Sequence, residues 1–261
     1  MANPVGSFIW YELSASDSDR AARFYEAVVG WKVGPADPAA PNDYRFISRA
    51  DGGMNGAILQ LTDEMRAKGA QPAWLPYLAV AGVDDAVAAI VADGGTVPMP
   101  KVTIPQGEFA LVTDPLGTPF YVMSPVPPPG IEDATSDVFS VTEAQHVRWN
   151  ELGSPDLDRA KAFYSAHFGF SFTRSMPMGP MGDYCFFDHA GICPGGMMQQ
   201  QPGQPPLWVP YIGVPSAGAA MTVIEALGGT VLKGPQQVPG GEWTVMATDP
   251  DGARFGVVGG A

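Results

Sequence analysis

The chain repeats itself. Trp10-Tyr11-Glu12-Leu13, Asp17, Arg20-Ala21, Phe24-Tyr25 and Gly30 return as Trp149-Asn150-Glu151-Leu152, Asp156, Arg159-Ala160, Phe163-Tyr164 and Gly169, at an offset of 139 throughout. Trp74-x-Pro76-Tyr77 returns as Trp208-x-Pro210-Tyr211 at 134, and Asp114-Pro115-Leu116-Gly117 as Asp249-Pro250-Asp251-Gly252 at 135. Offsets that drift by a few residues are what loop insertions leave in a duplicated domain, so 261 residues become two readings of one pattern. Between them, Pro127-Pro128-Pro129-Gly130 and the acidic stretch that follows can continue neither strand nor helix. The expected division is a first domain over 1–124, a connector over 125–145 and a second domain over 146–261.

Within each half the hydrophobic pattern runs through the same order twice. Residues 8–13 alternate as a strand does, Ser16-Asp17 offers a helix N-cap, and Ala21, Phe24, Tyr25 and Val28 form an apolar stripe that Gly30 ends. Short strands are expected at 31–33, 44–48 and 57–61. A second unit follows, with a strand at 75–80, a helix at 83–92 ended by Gly94-Gly95, a short strand at 96–97, and strands at 109–113 and 119–123 joined by an Asp-Pro-Leu-Gly turn. The second half repeats this from 147 to 258, with helices at 156–168 and 217–227. The predicted fold is α+β, four βαβββ units forming two half-open β-cups with helices outside, each domain able to bury its own core. Whether a cup closes within one half or between halves stays open at this level, and unpaired strand edges leave room for a homodimer.

Charge narrows the partners. Acidic residues outnumber basic ones 27 to 14, a formal charge of −13, and the few Lys and Arg are scattered. Nucleic acid and anionic membrane surfaces want the opposite sign, so neither is an expected partner. The N-terminus has no basic segment before an apolar run, and no stretch approaches the roughly 18 apolar residues of a spanning helix. A soluble cytoplasmic protein is expected. Cys185 and Cys193 have neither zinc-type nor redox-type spacing and read as reduced packing residues.

The paired βαβββ order, the Phe-Tyr before Gly30-Trp31 and Gly169-Phe170, the Gly-Gly after the second helix and the Asp-Pro-x-Gly before the last strand resemble the vicinal oxygen chelate superfamily. Its members include glyoxalases, bleomycin-resistance proteins and extradiol dioxygenases, and Trp-x-Glu-Leu with Trp-x-Pro-Tyr looks most like its tandem hydroxylase-like or glyoxalase-like group. The resemblance implies a divalent metal held by His, Glu or Gln on inward-facing strands. Carried onto this chain, those positions fall at Trp10 and Trp149 on the first strand, near residues 55–58 and 195–198 on the fourth, near Leu75 and Val209 on the fifth, and at Tyr121 and Gly256 on the last. Indole has no free lone pair, and leucine, valine and glycine offer no donor atom. The expectation is therefore that no cofactor is needed, with a divalent metal as the alternative although the positions assigned to its ligands are not occupied by ligands. His146, His167 and His189 share no face at ligand spacing and read as surface or capping residues.

Side chains two apart on a strand share a face. If the implied ligand position marks the inside, Glu12 and Glu151 point into the cups beside Trp10 and Trp149, and Tyr77, Tyr211 and Tyr121 join them. Each cup then offers aromatic rings and one carboxylate. Two functions fit: a binding protein for a small carbonyl or aromatic ligand, or a lyase or hydroxylase-like enzyme on such a compound, with Glu12 or Glu151 as general base and Tyr77 or Tyr211 as hydrogen-bond donor. A plainer role for the glutamates is to accept hydrogen bonds from amides or tyrosine hydroxyls and hold strands together. Tyr44, Tyr184, Phe46 and Phe186 read as core. The Met-, Pro- and Gly-rich segment 174–182, and its counterpart at 34–41, are candidates for lids over the cups.

Overall fold

The capping chemistry that the repeat encodes is present at both helix starts. Asp17 and Asp156 are extended, and each carboxylate accepts the amide of the residue three on, Arg20 or Arg159. Both helices end on a glycine in the left-handed region, Gly30 at φ 83° and Gly169 at φ 70°, where a side chain would be strained. The computed structural model describes residues 3–40, 42–201 and 203–261. Pro41, the last residue of the 34–41 segment, lies outside the described residues.

The first half runs β1 Phe8–Ala15, α1 Ser18–Val29, β2 Lys32–Val33, β3 Tyr44–Ser48, β4 Met54–Gln60, α2 Asp63–Ala67, β5 Ala73–Ala79, α3 Val83–Ala92, β6 Thr96–Ile104, β7 Gly107–Thr113 and β8 Pro119–Pro125. The second runs β9 Val147–Ser154, α4 Leu157–Phe168, β10 Ser171–Pro177, β11 Asp183–His189, β12 Ile192–Gln199, β13 Trp208–Ser216, α5 Ala217–Ala226, β14 Thr230–Gln237, β15 Trp243–Thr248 and β16 Arg254–Gly260. Among the described residues these strands form two eight-stranded sheets, β2-β3-β4-β1-β5-β8-β7-β6 and β10-β11-β12-β9-β13-β16-β15-β14. Each sheet is drawn from one half. The tandem α+β architecture therefore stands, and the question of within-half or between-half sheets is answered in favour of the former.

Three local expectations are corrected. The strand expected at 96–97 is β6 and extends to Ile104, and β14 likewise runs through Pro235. Both are edge strands, where a proline's missing N–H breaks no ladder bond. The expected lid at 174–182 is largely not a loop: Arg174 to Pro177 belong to β10 and pair with β11, Met176 opposite Tyr184, before a single 3-10 turn at Gly179–Met181. Helix α2 was not foreseen. Its five residues are too few to show a period, and the Thr62 hydroxyl, accepting the Met65 amide, starts it.

The chain gathers into two compact units that do not coincide with the halves: Met1–Trp10, Pro76–Ser136 and Asn150–Trp208 form the first, and Tyr11–Leu75, Asp137–Trp149 and Val209–Ala261 the second. In the first unit α3 packs on α4, and Phe120 meets Phe163 and Phe168 edge-on. In the second α1 packs on α5, with Phe24 and Tyr25 edge-on to Phe255. No helix among the described residues is long and apolar enough to cross a membrane.

Each unit holds one buried polar chain built from the repeated motifs. In the second, the Trp74 indole donates to the Tyr25 hydroxyl at 2.8 Å, which donates to Asp249 Oδ2 at 3.2 Å. The other oxygen of Asp249 accepts the Asp251 and Ala253 amides, both at 2.9 Å. In the first, Trp208 donates to Tyr164 at 3.0 Å and Tyr164 to Asp114 at 3.3 Å, while Leu116 and Thr118 donate their amides at 2.9 and 2.8 Å. Both chains join a Trp-Tyr pair from one half to an aspartate from the other. Burial raises both carboxyls, Asp249 to about 6.

Candidate functional site

In the first unit, parallel pairing of β5 with β8 sets Tyr77 opposite Tyr121, and the two rings stack at 4.2 Å and 18°. Phe109 on β7 lies 5.9 Å from each. Trp10 is half-buried at the end of the unit's first segment. The same unit holds Glu151, whose Oε2 accepts the Tyr184 hydroxyl at 3.0 Å. Glu151 is opposite Gly196 across β9 and β12, and the Tyr184 ring lies on that glycine: a Cβ there would be 2.1 Å from ring Cε1.

In the second unit, β13 pairs with β16 so that Tyr211 is opposite Gly256. The ring covers the glycine so closely that a Cβ would be 2.2 Å from ring Cδ1. Val209, Tyr211 and Val258 form a buried cluster against which the half-buried Trp149 and Met246 pack. Glu12, 3% exposed, sits on β1 opposite Ala57, which β3 in turn matches with Phe46. Tyr44 and Phe46 meet edge-on at 5.5 Å.

Of the residues singled out from the sequence, Tyr77 and Tyr121 are thus in direct contact, Trp149 belongs to the Tyr211 cluster, and Glu12 and Glu151 are placed in different units. The sequence reading overlooked the two glycines under tyrosines. The signal was available: at register-matched positions the first half carries Ala57 and Tyr121 where the second carries Gly196 and Gly256.

The histidines need correction. His146 is 8% exposed, with Nδ1 3.0 Å from the Ala144 carbonyl and Nε2 3.9 Å from Asp51. His167 Nε2 lies 2.9 Å from Asp93, and the partly buried His189 lies 3.4 Å from the Ser7 hydroxyl, burial lowering its pKa. His146 and His189 are packed and partnered rather than free surface groups, while His167 lies in the last turn of α4, as its capping reading has it. No group of three or more His, Cys, Asp or Glu able to hold a metal ion occurs among the described residues. At the assigned positions on the first and fifth strands stand indole and aliphatic groups, which offer a divalent cation no lone pair, while Gly256 has no side chain, the Tyr121 ring is stacked on Tyr77 and Asn55 Oδ1 accepts from Arg49. Arg49, also overlooked, is 4% exposed and binds Asp51, Asp137, the Met54 carbonyl and Asn55 Oδ1. Nothing in its sequence context announces a buried cation.

Both halves of the chain match known families. A model of the glyoxalase-like domain matches residues 10–123, and a model of the glyoxalase/bleomycin resistance protein/dioxygenase superfamily matches residues 144–257. The chain belongs to this superfamily. A protein of Mycobacterium tuberculosis, CFP32, named as a candidate glyoxylase, is 30% identical over 256 residues, 95% of this chain and 93% of its own. DauV of Streptomyces sp. (strain C5), an anthracycline biosynthesis protein, is 33% identical over 125 residues, 42% of this chain and 45% of its own. Among solved structures, a Mn(II)-bound glyoxalase from Novosphingobium aromaticivorans superposes with a TM-score of 0.65 at 17% identity, covering 98% of this chain and 82% of that one. The 2,3-dioxygenase LapB from Pseudomonas sp. KL28 does so with a TM-score of 0.63 at 14% identity, covering 100% and 94%. These superpositions show a shared fold, and a shared fold can host several chemistries.

Proposed function

We propose that this superfamily member binds a small carbonyl or aromatic compound in its β-cups, in the cytoplasm and without the metal of its metalloenzyme relatives. The observation that carries this reading is the exchange of donor atoms for rings: Trp10, Trp149 and Tyr121 occupy positions that the family resemblance assigns to metal ligands, and Tyr77 and Tyr211 lie beside two of them. Rings of this kind stack on planar ligands, and a pocket needs only a few polar groups to orient what it holds. The match to anthracycline biosynthesis proteins supports a flat, polycyclic ligand. A net charge of −13 supports a neutral or cationic compound over a polyanion.

A second reading has one observation in its favour, the name of the full-length mycobacterial relative. In it Glu12 or Glu151 takes a proton next to a carbonyl, with tyrosines placing the substrate. In the second half the Tyr184 hydroxyl on Glu151 Oε2 would stabilise the carboxylate and fix its orientation.

Protein purified without chelator separates these readings. The expected outcome is substoichiometric Mn, Fe, Ni and Zn by elemental analysis, and saturable quenching of Trp fluorescence by a flat aromatic compound. Glu12→Gln and Glu151→Gln should leave that quenching within about twofold of the parent. A stoichiometric metal would overturn the metal-free reading. Exchange of a carbonyl compound's α-proton with solvent deuterium that either variant abolishes would establish the lyase reading.

A further inference from the structure

The two halves line equivalent positions of their sheets differently. In the first half, β5 and β8 set Tyr77 opposite Tyr121, while β7 contributes Leu111 opposite Tyr121 and Phe109 opposite Met123. In the second, β13 and β16 set Tyr211 opposite Gly256, while β15 contributes Met246 opposite Gly256 and Thr244 opposite Val258. The registers match position for position. Tyr121 has become Gly256, Phe109 has become Thr244, and Leu111 has become Met246.

The physical consequence follows from ring volumes. The first half fills this patch with three mutually contacting rings, Tyr77, Phe109 and Tyr121. The second keeps one, Tyr211, which lies down on the Gly256 backbone where any side chain would collide with it. Around it are Val209 and Val258, with the half-buried Trp149 and Met246 at the margin. None of these five side chains carries a charge, so an ionised ligand group pressed against them would lack a partner. Methionine adapts its shape to a ring and favours contact with it, which leucine at the same place does less well.

From this we infer that the Tyr211 cluster of the second half is the seat of a flat, uncharged aromatic ligand and that Gly256 is the residue that selects it, whereas Tyr121 and Phe109 fill the matching seat in the first half with the protein's own rings. The two halves then divide the work: one seat keeps a single resident ring, Tyr211, for a ligand to pack against, and the other is filled by three rings of the protein itself. The inference rests on the reading of this protein as a binder of small organic compounds and adds to it the location, the stoichiometry and the residue that sets them.

Calorimetric titration of the full chain with 2-naphthol, a flat two-ring phenol, tests it. The parent is expected to bind one equivalent. Gly256→Tyr, which gives the second half the first half's residue, should weaken binding by about tenfold or more. Phe109→Thr combined with Tyr121→Gly should raise the stoichiometry to two, a gain that misfolding cannot produce. If Gly256→Tyr melts early by circular dichroism, Gly256→Ala combined with Tyr211→Leu removes the collision along with the ring, and it should fold yet bind as weakly. Parent-like binding by Gly256→Tyr, or no second equivalent in the double variant, overturns the seat while leaving ligand binding in place. Absence of binding by the parent overturns the binding function and the seat together.

Discussion

Asp249 is a carboxylate held against its own solvation. Burial raises its pKa to about 6, opposed by the Ala253 and Gly252 amides, the Tyr25 hydroxyl and the nearby Arg20 guanidinium. The folded value lies above the unfolded value of 3.8, so the native state holds this proton more tightly. Its contribution to stability is therefore complete below the unfolded value and is lost as pH rises from about 4 to about 6. Comparing Asp249→Asn with the parent by urea unfolding, the parent's advantage should shrink by roughly 2–3 kcal/mol between pH 4 and pH 7. Tyr25→Phe removes one donor from that carboxylate and the acceptor of the Trp74 indole, both buried, and should destabilise by about 1–3 kcal/mol in the same assay. These roles were half legible. The aspartate was readable as the first residue of a turn and the tyrosine as part of a helix stripe, because each reading needs only neighbours in sequence. The bond between them spans 224 positions. No local pattern encodes it.

At the scale of elements, the two units solve the same helix-start problem with different residues. Arg20 in α1 binds Asp251, and the same carboxylate accepts the Ser16 and Asp17 amides at 2.7 and 3.1 Å. In the other unit the matching residue is Leu116, whose side chain has no acceptor. Arg159 in α4 turns instead to Asp93, at 2.6 Å, beside His167. Asp251→Leu, which copies the first unit's residue into the second, should lower stability by about 1 kcal/mol because it removes the acceptor of the half-exposed Arg20 guanidinium and of the Ser16 and Asp17 amides, of which the Ser16 one is part-buried. A drop of a few degrees in thermal midpoint is the measurement. Helix positions were readable because caps and apolar stripes are local signals. The lengths of β6, β10 and β14 were not, since proline ends a strand in the middle of a sheet but is tolerated at its edge, and edge position is a property of the assembled sheet.

The whole molecule interlocks its halves. Each compact unit takes one βαβββ module from either half, and each buried Trp-Tyr-Asp chain crosses between them. A chain of residues 1–124 alone would leave Phe24, Tyr25 and Phe120 without Phe255, Phe163 and Phe168. It should self-associate, giving at least a dimeric mass by light scattering behind size exclusion, where the full chain's two halves cover those rings for each other. A well-folded monomeric half would contradict the interlock.

The sequence by itself determined the duplication, the repeated βαβββ order, the caps of the repeated helices and the superfamily. It also determined that indole, phenol and aliphatic groups stand at positions the resemblance assigns to metal ligands. Each of these follows from residue type or from neighbours a few positions apart. Only the tertiary structure decided which aspartate meets which tyrosine, that Glu151 accepts a bond from Tyr184, and that Tyr211 rests on Gly256 while Tyr77 stacks on Tyr121. Those contacts join segments between 33 and 224 residues apart, and the ones between strands depend on register, where a shift of one residue turns every side chain to the other face.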